Sequence, residues 1–116
     1  MNYQYIKTDY LDMVSGGDKE LVKELIDMFR EQVREIRDEM LLLLSEKDYN
    51  ALGLLAHKAK SSVAIMGMDD LAVMLKNFEL QAKEGVSVEN YPAYIDRFAR
   101  ETELAVFELE DLLKNM

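Results

Sequence analysis

Cysteine is absent from this 116-residue chain and histidine occurs once. Disulfide bridges, thiolate zinc sites and a nucleophilic cysteine are thereby excluded, as is a bundle metal centre built from two Glu-x-x-His motifs. Proline occurs once and glycine five times, too few chain breakers for a β-sandwich or a disordered tail. Long apolar runs are missing too. The longest unbroken stretch of Met, Leu, Ile, Val or Phe is Met40 to Leu44, and Met1 to Asp12 holds no apolar core of signal-peptide length. A cytoplasmic location is therefore expected, for a free-standing protein or for an excised domain on the cytoplasmic side of a larger one.

Positive charge is scarce as well, with 14 Lys and Arg against 23 Asp and Glu and a net charge of −9. The average field of such a surface repels a phosphate backbone or an anionic membrane, and the cations are scattered among acids, so neither nucleic acid nor membrane is expected as a partner. What the chain does have is 49% hydrophobic and 32% charged residues. That is material for one helical domain over residues 1–116.

The periodicity divides the chain into one short and four long helices. Thr8 or Asp9 caps a first helix to about Val14, and Ser15-Gly16-Gly17 breaks it. From Asp18 to about Leu44, Leu21, Leu25, Met28, Phe29, Gln32, Ile36, Met40 and Leu43 form an apolar stripe. Asp48 caps a third helix to Met66, where Gly67 ends it. A fourth starts at Asp69 or Asp70, with Leu71, Met74, Leu75, Phe78 and Ala82 on one side, and closes at Gly85. The last starts near Pro92 and runs to about Lys114, with Tyr94, Ile95, Phe98, Thr102, Ala105, Leu109, Leu112 and Leu113 in its stripe. Short connections make neighbours antiparallel, so the expected fold is all-α, an up-down-up-down four-helix bundle with a small additional N-terminal helix. The methionines read mainly as core packing, and the acidic runs at Glu101 to Glu103 and Glu108 to Asp111 as solvated faces.

At roughly 100° per residue, Leu52, Leu55, Ala56, Ala59, Val63 and Met66 share one apolar sector of the third helix. His57 falls outside it and is expected to face solvent, on a flank with Asn50, Gly53, Leu54, Ser61, Ala64 and Ile65. Lys60 lies one turn away. Small residues leave the imidazole unshielded, and exposed Leu54 and Ile65 beside a mid-helix glycine suggest a docking face that ends at Met68.

The run Ala56-His57-Lys58-Ala59-Lys60-Ser61-Ser62, followed by Gly67 and by Phe78-Glu79, resembles the signature of histidine-containing phosphotransfer (HPt) domains of bacterial phosphorelays. The family pattern is His-x-x-Lys-Gly/Ser-Ser, a Gly ten residues after the His, and a hydrophobic-Glu or hydrophobic-Gln pair in the next helix. The resemblance covers nearly the whole chain. It implies that His57 is the phosphoacceptor, that Lys60 balances phosphoryl charge, and that Glu79 and Lys83 correspond to an acidic or amide residue and a basic residue of the family's following helix. Ser61 stands where the family usually has Gly, which narrows a partner's approach, and Val63 replaces a frequent small or hydroxyl residue at a core position.

The chemistry agrees with that implication. Imidazole can take and pass on a phosphoryl group near neutral pH, and phosphoryl transfer asks a protein mainly for positioning and charge balance. Lys60 is on the turn adjoining His57. The chain shows no Walker glycine loop and no HRD or DFG motif, so the expectation is a phosphocarrier, not an enzyme. It would bind no cofactor or metal of its own, with Mg2+ on the partner's receiver domain. The resemblance implies response-regulator receiver domains and a sensor or hybrid histidine kinase as partners, with His57 passing phosphoryl groups between receiver aspartates, and a monomer is expected. Two alternatives stand beside it: a non-catalytic adaptor that docks through Leu54, Ile65 and Met68, or the phosphotransfer module of a chemotaxis-type kinase.

Hairpin arithmetic adds one more expectation. If the chain pivots near Gly67 and Met68, His57 and Glu79 lie level, each about 16 Å from the turn at 1.5 Å rise per residue. Glu79 then either accepts from His57 Nδ1–H, leaving Nε2 free as nucleophile, or faces solvent or pairs with Lys83 at i+4 spacing.

Overall fold

A computed structural model describes residues 3–116, so Met1 and Asn2 of the expected domain lie outside the described residues. Five helices follow in order: α1 (Asp9–Ser15), α2 (Lys19–Ser45), α3 (Tyr49–Ile65), α4 (Asp69–Glu84) and α5 (Tyr91–Lys114), with a 3₁₀ turn at Val88–Asn90 before the last. The caps are those of the sequence where a carboxylate is available. Asp18 accepts from the backbone of Glu20 and Leu21 at the start of α2, and Asp48 accepts from Ala51 N at the start of α3. Thr8 makes no side-chain cap bond at α1.

The four long helices form the expected antiparallel bundle, with α3 paired most extensively on α4, α2 packed on α3 and α5, and α4 on α5. All six residues of the apolar sector expected in α3 are buried. The α2 stripe is rotated from its expected position. Val22, Ile26, Phe29, Val33, Ile36 and Met40 are the buried residues, Leu21 and Leu25 are half-buried, and Met28 is 66% exposed. Two rows of apolar residues run side by side along this helix, and the positions of α3 and α5 decide which is central, a tertiary choice that periodicity does not encode. In α5, Tyr91 joins the core one turn ahead of Tyr94, fully buried with its hydroxyl donating to the Val86 carbonyl at 2.6 Å. Met40, Met66, Met68 and Met74 pack inside, whereas Met13, Met28 and Met116 are exposed.

Residues 3–8 lie as a strap across the end of the bundle where α3 turns into α4. Ile6 is buried in the core, and Lys7 N–H donates to the Met66 carbonyl at 3.0 Å. The Glu108 carboxylate accepts backbone N–H groups from Gln4 at 2.8 Å, Tyr5 at 2.8 Å and Ile6 at 3.0 Å. Asp111 accepts from the Tyr3 hydroxyl, and Glu110 pairs with Arg30 of α2. The acidic run of α5, expected as a solvated face, therefore ties the strap and α2 to the bundle. At the turn, Gly67 has φ +74°, and a Cβ there would lie 2.4 Å from Lys7 Cβ. Only glycine fits under the strap.

Candidate functional site

His57 sits midway along α3, on the side turned toward α4, with its side chain 57% exposed. One turn of α4 places Glu79 directly behind it. The His57 Nδ1 atom lies 3.0 Å from Glu79 Oε1 and 3.1 Å from Oε2. Glu79 does not face solvent; it contacts His57 and also pairs with Lys83, because a carboxylate has two oxygens to offer: Lys83 Nζ donates to Oε2 at 2.7 Å. Lys60 Nζ, half-buried on α3, stands 3.7 Å from Oε1. Three nitrogen-bearing side chains from two helices converge on one acid.

That acid is only 7% exposed. Burial alone would push its pKa upward, but the Lys83 ammonium, followed by the His57 ring, pulls the other way and holds the carboxyl at about 2. It is ionised at neutral pH and can only accept. The bond to His57 thus requires the proton on Nδ1, which in the neutral ring leaves the Nε2 lone pair unprotonated and turned to solvent. Burial of an ion is tolerated here because Lys83 and His57 between them contact both of its oxygens.

Around the imidazole, Leu54, Ser61, Ala64 and Ile65 are exposed as expected, and so is part of the Lys83 side chain. Two residues expected on this open flank are not there. Gly53 is buried between α3 and α4: a Cβ on it would meet Lys83 Cγ at 2.9 Å and the Glu79 carbonyl oxygen at 3.1 Å. Met68 is 3% exposed and belongs to the core, since the chain dives inward at the α4 N-terminus. A helical wheel treats each helix as isolated, so it misses the side of α3 that α4 covers.

One polar contact behind the site escaped the sequence reading. Ser62 Oγ, buried on the inner side of α3, donates to Gln32 Oε1 of α2 at 2.8 Å and pins the two helices in register. Its signal in the sequence was Gln32, a polar residue in an otherwise apolar stripe. Among the described residues, no three His, Cys, Asp or Glu side chains converge as a metal site needs, and no helix is long and apolar enough to cross a membrane.

The family model of the Hpt domain matches residues 24–116. Among solved structures, the fold is similar to the crystal structure of histidine-containing phosphotransfer protein B (HptB) from Pseudomonas aeruginosa PAO1, with a TM-score of 0.87 and 22% identity over 99% of each chain. No curated protein matches the sequence.

Proposed function

Since the chain belongs to the Hpt domain family, whose members carry phosphoryl groups on histidine in phosphorelays, we propose that His57 is the phosphoacceptor and that it relays between receiver-domain aspartates. The observation that carries this reading is the bond from His57 Nδ1–H to the buried, ionised Glu79 at 3.0 Å. In the transfer, the Nε2 lone pair attacks the phosphorus of an aspartyl phosphate, the N–P bond forms, and the P–O bond to the aspartate breaks with its electrons leaving on the carboxylate. No proton has to move. The attack puts positive charge on the ring, and Glu79 faces that charge from the Nδ1 side, stabilising the phosphorylated form and the transition state leading to it.

Lys60 supplies the other half of the charge balance. From 3.7 Å off Glu79 its flexible stem lets the ammonium swing outward to the incoming phosphoryl oxygens. The receiver brings its own carboxylates and Mg2+, and it docks on Leu54, Ser61, Ala64 and Ile65 around the ring. A sensor or hybrid kinase stands upstream of that receiver.

The test is incubation with a panel of phosphorylated receivers. Acid-labile phosphate should appear on His57, and His57→Gln should take none while keeping the parent's helical circular dichroism and melting temperature, because the ring is exposed and packs no core. Phosphate on another residue, or a variant that unfolds, would reject the assignment.

A further inference from the structure

Lys83 and Gly53 are both at the α3–α4 seam, yet neither faces a partner squarely. The Lys83 stem crosses the backbone of Gly53, where an added Cβ would stand 2.9 Å from Lys83 Cγ and 3.2 Å from Lys83 N. Glycine in mid-helix costs about 1 kcal/mol relative to alanine, and α3 retains it at the one glycine position the helix has. The space it leaves is filled by the lysine stem, and the stem's far end delivers Nζ to Glu79 Oε2 at 2.7 Å. His57 Nδ1 stands between the two oxygens, 3.0 Å from Oε1 and 3.1 Å from Oε2, while Lys60 Nζ is 3.7 Å from Oε1, so the turn of the carboxylate about its own axis decides which cation it faces.

We propose that Gly53 and Lys83 act as a brace that sets the orientation of the Glu79 carboxylate and, through it, the tautomer and direction of the His57 ring. This rests on the reading of His57 as phosphoacceptor. Both are positioning residues: neither touches the reacting nitrogen, and each acts through the next. Without the Lys83 ammonium the carboxylate loses the tether on Oε2 and turns toward Lys60. The ring then gives up its acceptor at Nδ1, and the lysine meant for the phosphoryl oxygens is held back. Without the glycine an added Cβ presses on the Lys83 stem and, at 3.1 Å, on the Glu79 carbonyl oxygen, which shifts the two residues against α3 with the same consequence one step earlier.

The experiment is 15N NMR of the imidazole at alkaline pH, together with the rate of phosphorylation by phosphoramidate, which needs no partner surface. Lys83→Met keeps the stem and removes the ammonium. It should lower the fraction of Nδ1–H ring at least twofold relative to the parent and slow phosphorylation about tenfold. Lys83→Arg should restore both, and Gly53→Ala should move both in the direction of Lys83→Met without lowering helix content. If Lys83→Met keeps the parent's tautomer ratio, the brace is refuted, whatever the rates. If the parent itself takes no phosphoryl group on His57 from phosphoramidate or from any receiver, the acceptor reading falls instead, and the tautomer comparison still decides the brace.

Discussion

Glu79 is a carboxylate held ionised where water hardly reaches it, and its acid titration is a measurable property of the site. Its folded pKa of about 2 lies below the ordinary 4.5, so the unfolded chain binds this proton more tightly than the folded one. The stabilisation is complete above about pH 4.5 and is lost as pH falls toward 2. Two of its partners, His57 and Lys83, are partly solvated, which limits the amount to about 1–2 kcal/mol. Urea unfolding at stepped pH should show the parent losing that much more stability across this window than Glu79→Gln; parallel curves would mean the carboxylate is not paired in solution. Lys60→Ala should slow phosphoryl transfer by about 10- to 100-fold with an unchanged melting temperature, and an undiminished rate would remove it from the mechanism. The level placement of His57 and Glu79 was legible from the sequence because two helices meeting at a known turn obey simple arithmetic. Whether they touch depended on Lys83 and the His57 ring itself making burial of the acid tolerable, and that is a property of the assembled pair.

The α3–α4 hairpin is the element that builds the site, and its turn is the place where the fold tolerates least. At Gly67 the strap backbone leaves no room, with Lys7 N 2.7 Å from where a Cβ would stand. Gly67→Ala should destabilise by about 2 kcal/mol and lower the melting temperature by on the order of 10 °C. A melting curve that matches the parent would show that the strap does not rest on the turn in solution. Next to it, Met68→Ala should cost about 2–4 kcal/mol of stability, as befits a core residue, and leave the transfer rate of the folded protein unchanged. The caps and boundaries of these helices could be read directly, since Asp18, Asp48, Gly67 and Gly85 act on their own backbone neighbours. The rotation of the α2 stripe, the burial of Gly53 and the structural use of Glu108 could not, because each is decided by a segment distant in the chain: α3 and α5, α4, and residues 3–8.

Across the whole molecule the charge is uneven in a way that suits the proposed relay. In a chain of net charge −9, α3 carries Lys58 and Lys60 and no acid, and Lys83 of α4 lies beside them. The His57 face thus carries local positive charge on an acidic protein, which in the proposed relay would meet the carboxylates of a receiver's phosphoacceptor pocket. Transfer at subsaturating receiver should fall several-fold between about 0.05 and 0.5 M NaCl, and a rate indifferent to salt would show that this charge does not steer. Ser61→Arg keeps the positive sign but adds bulk beside the ring; it should block transfer from receivers while leaving phosphorylation by phosphoramidate near the parent's rate. Equal transfer from receivers would place the interface elsewhere. The most direct test is to load the protein from a phosphorylated receiver and find the phosphorylated atom by 15N and 31P NMR. A phosphorus–nitrogen coupling at Nε2 of His57, with Nδ1 still protonated against Glu79, is the expected result; phosphate on Nδ1, on any other residue, or none from receivers that load other Hpt domains would overturn the assignment of His57 Nε2 as the acceptor.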